Sequence, residues 1–201
     1  MSRVLYTSDL HLGHQKVAEY RGFASTDEHD AAVIQSWHEH ATDADIVYVL
    51  GDLTMGRSRE VEERALDILA SMPGRKRLIP GNHDSVHPLS SASLDRDWML
   101  RWYAVFESIQ PLAVRKVGKQ RLMLCHLPYD EDGGDHTDQN RHREWRPHDI
   151  GLPLVHGHTH LRDQRLHGGR QVHVGWDAWR RPVSESEVLD LVHSSTLAHA
   201  H

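Results

Sequence analysis

Eight residues of three types, Asp9, His11, Asp52, Asn82, His83, His126, His158 and His160, follow short apolar runs in widely separated parts of the chain. Carboxylate and imidazole donors without thiolate suit divalent manganese, iron, zinc or nickel, with manganese favoured, better than a closed structural zinc site. Eight candidates are too many for one ion and suit two ions that share a carboxylate. Two such ions, about 3.5–4 Å apart, acidify a shared water enough to make a nucleophile near neutral pH. The chain holds 19 histidines, so no single His pair carries weight. The tail His199-Ala200-His201 could pass for a metal site, yet is expected to be frayed, solvated chain. Position along the fold must decide.

The apolar runs are Arg3–Thr7, Asp45–Leu50, Lys76–Ile79, Arg121–Cys125 and Leu152–Val155. Their brevity and β-branched content predict buried strands. Between them, Ser25-Thr26-Asp27-Glu28 reads as a capping box, followed by Ile34, Trp37 and Ala41 on one helical face. Ser58 can cap a second helix with the stripe Val61, Ala65, Ile68, Leu69 and Met72, closed by Pro73-Gly74. A third helix is predicted through Leu94, Trp98 and Trp102. Later, Leu112–Val117 and Arg121–Cys125 flank Gly118-Lys119 as a hairpin, and a second pair flanks Gly168-Gly169. The alternation of strands and helices predicts an α/β fold, and residues 1–201 read as one domain. In open α/β sheets, ligands gather at the carboxyl ends of the strands, so five separate runs would deliver their polar residues to one edge. Gly51, Gly81 and Gly157 beside those residues would let backbone approach a charged centre closely.

Asp9-Leu10-His11, Gly51-Asp52, Gly81-Asn82-His83-Asp84, His126 and Gly157-His158-Thr159-His160 together resemble, in order, the motif set of the calcineurin-like metallophosphoesterases. The segments Ser8–His14 and Val174–Trp179 look like those of compact bacterial and phage members. The resemblance implies a four-layer α/β/β/α sandwich. It implies that Asp9, His11 and His160 bind a first metal, that Asn82, His126 and His158 bind a second, and that Asp52 bridges them. His83 would contact the phosphate or protonate the leaving oxygen, with Asp84 orienting it. Asn82 and His83 would also touch substrate.

Each motif alone has a plainer reading. Asp9, Asp52 and the Gly81–Asp84 run could be turn chemistry, and His126 alone a satisfied core histidine. His14 is either a substrate contact or a helix start. His156 and His173 lie in strand patterns and read as structural, and Cys125 as a small buried hydrophobe. Trp98 and Trp102 read as core. The polar stretch from Tyr129 to Asp149, with Gly133-Gly134 and Arg141-His142-Arg143, lies between two ligand-bearing strands. It could fold over the metal edge, bringing Arg143 or His142 to a substrate phosphate.

Of the residues, 38% are hydrophobic and 26% charged, a globular composition rather than a disordered one. A net charge of -6 argues against an extended nucleic-acid groove but not against a small phosphorylated substrate held by metals. One cysteine excludes an internal disulfide, and no apolar stretch is long enough to span a bilayer, so a cytoplasmic protein is expected. The expected activity is hydrolysis of small phosphodiesters, with 2′,3′-cyclic nucleotides among the candidates. A phosphomonoesterase or nuclease of the same family is the close alternative, and a non-catalytic metal-binding scaffold the distant one.

Overall fold

The computed structural model describes residues 2–56, 58–130, 141–166 and 170–198. The turn at Gly168-Gly169, the pair Gly133-Gly134 and the tail His199–His201 lie outside them. Four parallel strands, β1 (Val4–Thr7), β2 (Ile46–Val49), β3 (Arg75–Leu78) and β4 (Phe106–Ile109), form the first sheet. The short β10 (Val183–Ser184) adds to β1 antiparallel, giving the order β10-β1-β2-β3-β4. The second sheet begins with the hairpin β5 (Ala113–Val117) and β6 (Gln120–Leu124), whose register Val117↔Gln120 turns on Gly118-Lys119 as predicted. β7 (Leu154–His156) and β9 (Gln171–His173) continue it in parallel, and β8 (Arg165–Leu166) closes it antiparallel, in the order β5-β6-β7-β9-β8.

Strand alternation sorts the side chains into layers. Leu5, Val47, Val49 and Leu78 face outward from the first sheet, onto helices α2 (Thr26–His40), α3 (Arg59–Ser71) and α4 (Arg96–Tyr103). Tyr6 and Tyr48 face inward, against Leu122, Leu124, Val155 and Val172 of the second sheet. On that sheet's outer face Met123, Cys125 and Leu154 pack under Leu127, Tyr129 and Leu152, so among the described residues loop side chains cover it. The C-terminal helix α6 (Glu185–Ala198) sends Val188 and Val192 into the layer between the sheets. The result is the expected α/β sandwich of two face-to-face sheets.

Ser25 caps α2 by accepting from the Glu28 N–H at 3.1 Å, and the Glu28 carboxylate reaches back past the N-cap to the Ala24 N–H at 2.8 Å, a shifted form of the predicted box. At α3 the structure corrects the reading. Ser58 stands at the N-cap position but makes no capping bond, because its hydroxyl is bound to Glu60. The buried face of α3 is Glu62, Ala65, Leu66 and Leu69, leaving Val61 exposed. Glu62 is drawn inward to accept from the Ser85 N–H at 2.8 Å and from its hydroxyl, tying α3 to the loop after β3. Trp98 and Trp102 are buried as predicted, but Leu94 belongs to a preceding 3-10 turn (Ser91–Leu94) and is 88% exposed. Asp95 starts α4 by accepting from the N–H groups of Asp97 and Trp98.

Candidate metal centre

Every predicted ligand lies past the carboxyl end of a strand, and the structure gathers them at one edge spanning both sheets. Asp9 and His11 follow β1, Asp52 follows β2, Asn82 and His83 follow β3, His126 follows β6, and His158 and His160 follow β7. One donor atom each from Asp9, His11 and His160 lies within 4.8 Å of the other two. Asp52, His126 and His158 form a second such group. Asn82 is also buried there.

The backbone at this edge is unusual. Asp9, His11, Asp52, His158 and His160 all have φ between 49° and 70°. This left-handed conformation is uncommon for residues with a Cβ and persists only where surrounding bonds enforce it. Those bonds are present. The Asp9 N–H donates to the Gly51 carbonyl at 3.0 Å and the His11 N–H to the Asp52 carbonyl at 3.1 Å, holding two ligand loops side by side. Across the sandwich, the His158 N–H donates to both Asp9 carboxylate oxygens at 3.1 Å. A Cβ on Gly157 would fall 1.9 Å from Ser8 Oγ and 2.6 Å from Asp9 Oδ2, so only glycine permits this approach.

Asp84 acts through the backbone. Its carboxylate accepts from the N–H groups of Asp52 at 3.0 Å, Leu53 at 2.9 Å and Gly81 at 2.8 Å. It thereby fixes the two turns that present Asp52 and His83, and the His83 N–H in turn donates to Asp52 Oδ1 at 3.0 Å. Burial, then the charge of Asp52, pushes the Asp84 carboxyl up to about 7. Burial opposes charge on Asp52 and His126 as well. The two lie 3.3 Å apart, and their mutual attraction outweighs burial, holding Asp52 well below the usual carboxylate range and raising His126.

Several buried donor atoms make no hydrogen bond, and of these Nε2 of His126 has the Asp52 carboxylate beside it at 3.3 Å. The buried atoms Nδ1 of His11, Oδ1 of Asn82 and Nε2 of His126 make no hydrogen bond. Leaving such a group unmet costs roughly 1–3 kcal/mol each, which a bound cation would relieve at Asn82 and His126. The Nε2 atoms of His11 and His160 face each other at 3.0 Å, an approach suited to a shared electrophile. Nδ1 of His126 is bonded to the Leu50 carbonyl at 2.6 Å, which turns Nε2 inward. These residues therefore fit two divalent cations.

A second set of polar groups, missed by the sequence reading, stands behind the first. Asp177, in the short helix α5 (Trp176–Trp179), lies 3.1 Å from Nδ1 of His160 and pairs through both oxygens with Arg21, at 2.9 and 2.7 Å. Arg21 also donates to the Asp9 and Leu10 carbonyls and contacts His29, which bonds Asp30, which caps the Gly13 N–H. The strand-end rule could have found Asp177, four residues past β9. Nothing in the pattern marks Arg21.

Of the other candidates, His14 caps helix α1 (Gln15–Tyr20), accepting from the Val17 N–H at 3.3 Å, and also lines the cleft above the ligands. Arg143 is bound to Asp130 at 2.8 and 3.1 Å and is not among the described cleft-lining residues. Its neighbour His142 comes nearer, with its ring 6.2 Å from that of His158. His156, His173 and Cys125 are fully buried within strands or at their ends, and burial pushes the Cys125 thiol up to about 11, which suits a packing role.

The comparisons agree with this geometry. A profile described as calcineurin-like phosphoesterase matches residues 2–192. The Gene 66 protein of Mycobacterium phage L5 is 40% identical over 203 residues, covering 96% of this chain and 95% of its own. That of Mycobacterium phage D29 is 42% identical over 197 residues, with 96% of each chain covered. In structure, a protein of unknown function from Aquifex aeolicus, AQ665, superposes with a TM-score of 0.68 at 20% identity, over 95% of this chain and 100% of that one, a likeness of fold. With the profile spanning nearly every residue, this chain belongs to the calcineurin-like phosphoesterase family.

Proposed function

We propose that the protein is a dinuclear-metal-dependent phosphodiesterase acting on small phosphodiesters. One observation carries the reading: of two groups of clustered donors, Asp9–His11–His160 and Asp52–His126–His158, the members Asp52, His158 and His160 line one cleft of about 530 Å³ together with His83. Two bound divalent cations would supply an acidified water and neutralise charge on the phosphate oxygens. The mixed carboxylate, imidazole and amide donors accept manganese, iron, zinc or nickel, and manganese is the ion proposed.

The chain's own residues do the rest. Asp52 belongs with the second group and also faces His11 electrostatically, the placement of a shared ligand. His83 lines the cleft, with its backbone anchored on Asp52, where its ring can contact the phosphate and hand a proton to the leaving oxygen. The described cleft lining holds one lysine, Lys16, and no arginine. No described helix is long and apolar enough to cross a membrane, and the single buried Cys125 fits a cytoplasmic setting.

Manganese-loaded protein should hydrolyse bis(p-nitrophenyl) phosphate faster than p-nitrophenyl phosphate. A preference for the second would make it a monoesterase, and hydrolysis of neither with two metals bound would make it a scaffold.

A further inference from the structure

The cleft extends beyond the ligands. Its volume of about 530 Å³ falls in the range that encloses one ligand of nucleotide or drug size. One end is formed by Asp52, His83, His158 and His160. The other wall is α1, where Val17 and Tyr20 stand three residues apart on one helical face. Met55 and Leu161, from the loops after β2 and β7, complete it. Tyr20 is 61% exposed and Leu161 40% exposed. Scattered exposed apolar residues need no explanation, but these four line one concavity that ends at the metal ligands.

We propose that this wall is the specificity surface of the enzyme and receives a planar apolar group, a nucleobase or aryl ring, attached to the scissile phosphate. The inference rests on the phosphoesterase reading and adds the substrate class. With the phosphate at the ligand end, a ring joined through a sugar or directly would lie against Val17 and Tyr20, where stacking on the phenol ring replaces contact with water. Lys16, the one lysine or arginine among the described lining residues, leaves room for a single further negative group. A nucleic-acid strand needs a track of cations, which this lining lacks. The occupant is therefore a mononucleotide-sized ester.

The test is calorimetric titration of the manganese-loaded protein with paired diester probes: methyl phenyl phosphate against dimethyl phosphate, and the methyl ester of adenosine 5′-monophosphate against the methyl ester of ribose 5-phosphate. The ring-bearing member of each pair should bind roughly tenfold more tightly. Tyr20→Ala should remove most of that advantage, Tyr20→Phe should keep it, and Tyr103→Ala, at an exposed tyrosine on α4, should leave it intact. Equal affinity for ringed and ringless probes in the unaltered protein would overturn the assignment, as would an advantage that survives Tyr20→Ala. Ester hydrolysis measured alongside separates the two ideas. Turnover without ring preference sinks only the wall, whereas no turnover and no binding of any probe sinks the phosphoesterase reading with it.

Discussion

Oδ2 of Asp177 lies 3.1 Å from Nδ1 of His160, while Nε2 of the same ring faces His11 Nε2 at 3.0 Å. A carboxylate behind an imidazole fixes which nitrogen carries the proton and makes the other a better donor. Arg21 holds the carboxylate from the far side and also binds the Asp9 carbonyl. One buried ion pair thus braces two predicted ligands of the same donor group.

Asp177→Asn should therefore weaken manganese binding at one of the two sites about 10–100-fold, because the shape is kept and the charge lost. Competition titration against a metal-sensitive dye reads this directly. Arg21→Ala should instead destabilise the fold, by about 3–5 kcal/mol, since Asp177 would be left buried with only the His160 ring beside it. Unchanged affinity in the asparagine variant would remove Asp177 from the metal centre.

Gly157→Ala tests the close approach of β7 to Asp9. The new Cβ would overlap Ser8 Oγ and Asp9 Oδ2, so the Asp9 loop must move. Thermal melting should show a loss of about 1–3 kcal/mol, and metal analysis a deficit in the Asp9 group. Gly56→Ala is the control, as its Cβ would meet nothing nearer than a Val61 methyl at 3.8 Å. Equal behaviour of the two variants would count against the packing argument.

His83→Ala should lower turnover by about 10²–10⁴-fold while both metals stay bound. His83 lies outside both donor groups, so its removal leaves each intact. Loss of metal together with activity would make it a ligand.

Stability at acid pH should depend on Glu187. Its carboxyl is held down to about 2, first by Arg181, at 2.6 and 3.3 Å, and then by Ser184. A depressed carboxyl contributes stability above its ordinary value near 4.5, and that contribution fades as pH falls from there towards 2. The pair is partly solvated, so the effect should be below about 1 kcal/mol. Glu187→Gln should flatten the fall in urea midpoint between pH 6 and pH 3. An identical fall would mean that the pair does not act in solution.

Much of this site was readable because parallel strands place their following residues at one edge, so position along the chain becomes position in space. Asp9, Asp52 and His126 needed only that rule. The stripe of α3 held at Ala65, Leu69 and Met72, with Ile68 packed on the core, but Val61 is exposed, and Glu62, a residue that normally faces water, is pulled inward by Ser85, a partner 23 residues away. Leu94 continued the spacing of Trp98 and Trp102, but Asp95 takes the N-cap and leaves it outside α4. Arg21, His29 and Asp30 carry no mark in sequence, since their partners come together only when α1, α2 and α5 close on the Asp9 loop. Asp84 was legible as part of its motif, yet its work on the N–H groups of Asp52, Leu53 and Gly81 was not.

Anomalous diffraction at the manganese edge from manganese-soaked crystals tests the central claim most directly. The account predicts two peaks per chain, about 3.5–4 Å apart, one beside Asp9, His11 and His160, the other beside Asn82, His126 and His158, with Asp52 reaching both. A single peak, or two peaks that do not share Asp52, would contradict it.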